Sequence, residues 1–154
     1  FCKKLFDESE RQIRAEYIET GKARMVYRDF PLDQPPQPLH PFARGAAEAA
    51  ECARDQGKYW AYHDKLFTLQ SQLSSDPVFF EGIAVTLDLD MNSFRACVQT
   101  RKYKDEVEKD YQDGIAAGVR GTPATFVNGK LISGAVPFAS FKAAIDEALQ
   151  KSGK

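Results

Sequence analysis

Residues 118–135 read GVRGTPATFVNGKLISGA, and within them Asn128-Gly129 sits between Phe126-Val127 and Leu131-Ile132. A type I′ turn needs positive φ at both central residues, which Asn and Gly tolerate, so this stretch predicts a hairpin of two antiparallel strands. Gly121-Thr122-Pro123 leads into the first strand. Taken alone, it says only that a proline precedes a strand, and most X-Pro bonds are trans.

On the C-terminal side, PFASFKAAIDEALQKSGK places Phe138, Phe141, Ile145 and Leu149 on one face, which predicts a closing amphipathic helix with a polar, frayed tail. On the N-terminal side lies a block of about five helices. It begins with the Ala-rich FARGAAEAAECARDQ, closed by Gly57, and continues through YWAYHDKLFTLQSQL. DPVFFEGIAVTLDL carries Asp76 as N-cap and Pro77 at the first helical position. NSFRACVQT and YKDEVEKDYQDGIAAG complete the block, the latter with Tyr103, Val107, Tyr111 and Ile115 as a buried stripe and its charges solvated.

Further out, FCKKLFDESERQI and the residues after it put Leu5, Phe6, Ile13 and Tyr17 on one helical face that ends at Gly21. ARMVYRDF, residues 23–30, is short, apolar in part and stopped by Pro31, so it predicts a strand. PLDQPPQPLHP has five prolines in eleven residues and predicts an extended connector. The order is helix, strand, helical block, hairpin, helix. The strand at 23–30 needs a partner, and a strand lying before residue 1 would supply it by feeding the first helix as a crossover.

The sequence of 154 residues is 43% hydrophobic and 28% charged, the balance of one water-soluble globular domain. With 21 Lys plus Arg against 22 Asp plus Glu, the net charge of −1 supplies no electrostatic attraction for nucleic acid, and none is expected as a partner. No apolar run reaches the roughly 20 residues that span a bilayer. The absence of an initiator Met and of a signal-peptide core suggests a processed or trimmed N-terminus. Cys2, Cys52 and Cys97 form an odd set, so at most one pair closes within the chain and one thiol is left over.

With a strand supplied ahead of Phe1, the order resembles the thioredoxin fold with a helical insertion, as in the DsbA-like thiol-disulfide oxidoreductases. FCKKLFDE is similar to the second half of that family's Cys-Pro-Phe-Cys active site and its helix. RDFPL followed by HPFARGAAEAAECARDQGKYWAYHDKLF is similar to its second strand and insert, and GVRGTPATFVNG to its cis-proline loop. The resemblance implies an α/β fold: a single thioredoxin-like domain over 1–154, its first strand outside this sequence, with a helical insertion at 39–118. It implies that Cys2 is the second, resolving cysteine of a Cys-x-x-Cys whose nucleophile lies three residues earlier. It also implies a cis bond at Pro123, so that Thr122 presents its backbone to an extended substrate.

The chemistry of such a pair is physical. At a helix N-terminus, unpaired N–H groups and the helix dipole favour a thiolate on the first cysteine. The second then resolves the mixed disulfide by intramolecular attack, aided by proximity. The implied partners are cysteine-containing exported proteins and a membrane redox partner that regenerates the pair, in an extracytoplasmic compartment. For Cys52 and Cys97 two readings stand, a structural disulfide clamping the insert, as some family members have, or two buried free thiols; an oxidising compartment favours the disulfide. Two other functions fit the same fold: a glutathione-linked transferase or isomerase, and a redox-inactive peptide-binding domain. No cofactor or metal is expected. His40 and His63 lack zinc-like spacing with the cysteines, no phosphate-binding loop is present, and Tyr59, Trp60, Tyr62 and Phe67 read as core. RKYKDEVEKD reads as a solvated helix face.

Overall fold

The hairpin forms where its turn residues place it. In a computed structural model that describes residues 1–36 and 38–153, strand β1 (Ala124–Val127) pairs antiparallel with β2 (Lys130–Ser133). Thr125 stands opposite Ile132 and Phe126 opposite Leu131. Asn128 and Gly129 take φ of 46° and 88°, the left-handed pair that a type I′ turn requires. Gln37 of the proline-rich connector and Lys154 of the polar tail lie outside the described residues.

The chain divides into two compact units. The first holds Phe1–Tyr27 and the segment from Gly118 onward, the second Arg28–Ala117. In the first unit, helix α1 runs without a break through Cys2–Leu5, Phe6–Glu10, Arg11–Ile13 and Arg14–Ile18, since each junction keeps right-handed helical φ and ψ. Its second and fourth parts are wound as π-helix, and the Glu19 N–H donates to the Arg14 carbonyl five residues back at 2.9 Å. Leu5, Ile13 and Tyr17 of α1 pack with Val127, Ile132 and the closing helix, whose Phe138, Phe141, Ile145 and Leu149 all join the same cluster. Burial of Tyr17 and Phe141 at its centre anchors the unit, at about 1.5–3 kcal/mol for a large apolar side chain.

The second unit contains helices α2 (Ala43–Arg54), α3 (Tyr59–Thr68), α4 (Pro77–Thr86), α5 (Met91–Gln99) and α6 (Lys104–Ala116), all within 39–118. The closing helix of the first unit, Phe138–Lys151, is α7. Asp76 caps α4 by accepting from the Val78 N–H at 2.8 Å, with Pro77 in the first turn. Asp90 caps α5 through the Ser93 N–H at 2.8 Å. Small residues on α2 let its neighbours close in, so Ala49, Ala53, Tyr62, Ile83 and Phe94 form one core. The Tyr62 hydroxyl donates to the Phe80 carbonyl at 2.9 Å, which satisfies a polar atom inside that core.

Residues 23–30 differ from the sequence expectation, for they form no strand among the described residues. A strand exists by its ladder, and here the backbone donors go elsewhere. The Ala23 N–H donates to the Tyr17 carbonyl at 2.9 Å, and the Asp29 N–H to the Asp110 carboxylate at 3.1 Å. Val26 stays 60% exposed. The described sheet is therefore two-stranded.

Candidate functional site: the first turn of the leading helix and the loop before the hairpin

Cys2 opens α1 and is the one free cysteine among the described residues, half-buried rather than sealed in the core. Among the described residues no side chain caps this helix start, so the first-turn N–H groups lend their partial positive charge to what stands there. One turn on, the Lys3 ammonium reaches Asp7 at 2.7 Å and Lys4 lies 3.9 Å from Glu8. A sulfur at this position is reachable from solvent yet held on a rigid element, which is what a thiol that attacks a neighbouring disulfide requires.

Two contacts fix α1 within its unit. The Ser9 hydroxyl donates to the Val136 carbonyl at 3.1 Å, tying the helix to the segment after the hairpin. Within the helix itself, Arg14 pairs with the buried Glu10 one turn back at 2.5 Å. The Tyr17 hydroxyl donates to Asp146 of α7 at 2.6 Å and receives the Lys142 ammonium at 3.1 Å. Burial, with the Asp146 hydrogen bond second, raises the Tyr17 hydroxyl above its ordinary range, while that same bond holds Asp146 below the usual carboxylate range.

Thr122 and Pro123 lie in the same unit as Cys2, immediately before β1. Their peptide bond is cis, Pro123 is buried and Thr122 half-buried. The Pro123 carbonyl accepts from the Gly134 N–H at 2.8 Å, which continues the hairpin ladder by one rung beyond the strand. By the two-residue alternation of an antiparallel ladder, that rung is of the same hydrogen-bonded kind as the Thr125–Ile132 pair, so the N–H and C=O of Ala124 and Phe126 face away from β2. Helix α7 packs on both α1 and β1 and thereby connects the cysteine's helix to the proline's strand.

Cys52 of α2 and Cys97 of α5 are joined by a disulfide with S–S 2.00 Å across 45 residues, in the second unit. Both are buried, at 2% and 7% exposure. Of the aromatic group, Tyr62 is fully buried whereas Trp60 keeps 37% exposure. His63 is buried with Nδ1 3.0 Å from Asp64 Oδ1, and His40 lies exposed in the connector.

Sequence reasoning missed a set of buried acids. Asp110 belongs to the charge run read as solvated, yet it is 9% exposed and takes Arg28 at 2.6 Å and the Asp29 N–H. Its signal was its place three residues after the buried Val107, on the apolar side of α6. Asp29 and Glu51 are buried too, and burial pushes each of their carboxyls up to about 7.

A family model described as Thioredoxin matches residues 1–147. The chain is 35% identical over 141 residues to Na(+)/H(+) antiporter NhaA 1 of Salinispora arenicola, covering 92% of this chain and 21% of that protein. It is 26% identical over 145 residues to probable disulfide bond formation protein D of Bacillus anthracis, covering 91% of this chain and 64% of that protein. It thus spans about a fifth of the antiporter and under two thirds of the Bacillus protein. The crystal structure of Wolbachia pipientis alpha-DsbA1 superposes with a TM-score of 0.80 at 22% identity, over 97% of this chain and 80% of that one, a likeness of fold.

Proposed function

The chain belongs to the thioredoxin family, with the inserted helical block of the DsbA-like fold, and on that premise we propose that it is a thiol-disulfide oxidoreductase domain. It exchanges disulfides with cysteine-containing exported proteins through a Cys-x-x-Cys dithiol. Cys2 is the resolving thiol, and the position three residues before it holds the nucleophile. The observation that carries this reading is the half-buried thiol of Cys2 on the first turn of a helix packed into the same unit as the Thr122-Pro123 loop.

In the forward reaction the substrate dithiol, as thiolate, attacks the nucleophile's sulfur of the oxidised pair. The Cys2 sulfur leaves and takes up a proton. The second substrate thiolate then displaces the nucleophile, leaving substrate disulfide and domain dithiol, two electrons having passed to the domain. Thr122 offers its backbone beside Pro123 to an extended segment of the substrate, as an added strand would use it. A membrane redox partner reoxidises the pair. The Cys52–Cys97 disulfide supports an extracytoplasmic site of action, where such bonds persist.

The test is oxidative folding of a reduced, unfolded ribonuclease by the full protein. Recovery of native disulfides at a rate that depends on the domain is the expected result; no acceleration over the uncatalysed control contradicts the reading.

A further inference from the structure

The second unit buries more negative charge than it neutralises. Asp29 and its neighbour Arg28 stand on the segment after residue 27, Glu51 and Arg54 on α2, and Glu106 and Asp110 on α6. Arg28 is committed to Asp110 at 2.6 Å, and Asp110 spends its other oxygen on the Asp29 N–H. Arg54 is committed to Glu106 through paired contacts of 2.8 and 2.9 Å. Four carboxyls thus face two guanidiniums: Glu51 must share Arg54 with Glu106, and Asp29 has no ion pair among the described residues, at 7% and 8% exposure respectively.

Glu51 supplies an independent sign. Its Oε2 is sealed from solvent and makes no hydrogen bond, although Arg54 Nη1 stands 2.7 Å away. Ionised, that oxygen would be a buried charge that depends on a guanidinium already shared with Glu106. A shared metal ion is not the remedy, for among the described residues Asp29, Glu51 and Asp110 do not gather oxygens all within 4.8 Å of one another. The remaining charges on neighbouring elements pair among themselves: Asp55 with Lys102 and Tyr103, Glu48 with Arg101, and Arg44 with Asp33 and Glu108. They leave the local excess uncorrected.

We propose that Asp29 and Glu51 are a two-proton latch of the helical unit, which holds these protons when folded and is loosened when alkali removes them. Burial is the largest cause of the raised carboxyls at both positions; at Glu51 the attraction of Arg54 opposes it in part while Glu106 and Asp110 add repulsion, and at Asp29 Glu51 and Asp110 add repulsion against a smaller pull from Arg54. Unfolded, the same side chains ionise near pH 4. Between about pH 4 and 7 the folded chain therefore binds protons that the unfolded chain has released. The stabilisation is whole below the unfolded carboxyl range and is lost as pH rises through about 7.

The experiment is thermal unfolding of the full chain at pH 5 and pH 8, for wild type, Asp29→Asn and Glu51→Gln, with the exposed Asp105→Asn as control. Wild type is expected to lose about 5–10 °C in Tm between the two pH values. Each latch variant should lose less, and Asp105→Asn as much as wild type. A slope unchanged by both latch variants overturns the proposal. Should the variants fail to fold, carboxyl carbon NMR of the wild-type chain decides. Two carboxyls titrating near pH 7 support the latch, and titration of every carboxyl below about pH 5 overturns it.

Discussion

At the scale of single residues, polar contacts in buried places decide more than surface ion pairs. Tyr17 is 2% exposed and its hydroxyl bridges Asp146 and Lys142. Removing that hydroxyl leaves the ring packed and deletes only the bridge, so Tyr17→Phe should cost about 1 kcal/mol in urea unfolding. A loss above about 3 kcal/mol would mean the hydroxyl organises more than this bridge. By contrast, Glu147 between Lys130 and Lys151 is open to solvent, and Glu147→Gln should change stability immeasurably at physiological salt. Gly114 is required by a close approach. A Cβ there would stand 2.6 Å from Phe30 Cδ2, and the Phe30 ring is pinned against Tyr111 at 4.7 Å between centroids. Gly114→Ala should destabilise by about 1–3 kcal/mol through overpacking, partly relieved by adding Phe30→Leu. If Gly114→Ala stabilises the chain, as helix propensity alone would have it, the packing argument fails.

At the scale of elements, the pieces with local chemistry were legible and the pieces that depend on distant partners were not. Asn128-Gly129 carries its own turn geometry, and Asp76-Pro77 its own cap, so the hairpin and the start of α4 stand where the residues predict. The stripe on α6 held at Tyr103 and Val107 but ended at Ile115, 47% exposed in the helix's last turn. Residues 23–30 have strand-like composition, yet a strand is a relation between two segments, and the donors at Ala23 and Asp29 find other acceptors. Buried acids are hard to read for the same reason: nothing within the sequence around Asp110 says that Arg28, 82 residues away, will meet it. The place of Cys2 at a helix start is legible from the residues, while its relation to Thr122 and Pro123 rests on the order of motifs rather than on spacing. Joining residues 45 apart, the disulfide should contribute about 3–4 kcal/mol on the chain-entropy account. Cys52→Ala with Cys97→Ala should lower the denaturant midpoint accordingly; an unchanged midpoint would show that the helical core holds without the clamp.

At the scale of the whole molecule, two compact units carry different chemistry. The first holds the free thiol and the cis-proline loop, the second the structural disulfide and the buried acids. Among the described residues no helix is long and apolar enough to cross a membrane. Reductant should therefore be felt unevenly. Hydrogen exchange after mild reduction is expected to quicken in α2 and α5 and to leave the amides around Tyr17 and Phe141 unchanged, because the clamp lies in the second unit only. Uniform quickening across both cores would contradict that division. The part played by Cys2 is tested by replacing it with alanine in the full protein and incubating the variant with a substrate carrying a single reactive disulfide. Without the proposed resolving thiol the domain should accumulate as a mixed disulfide, seen as a reductant-sensitive adduct on a non-reducing gel and in intact mass. No adduct, with disulfide exchange continuing at the wild-type rate, would show that Cys2 plays no part in the chemistry.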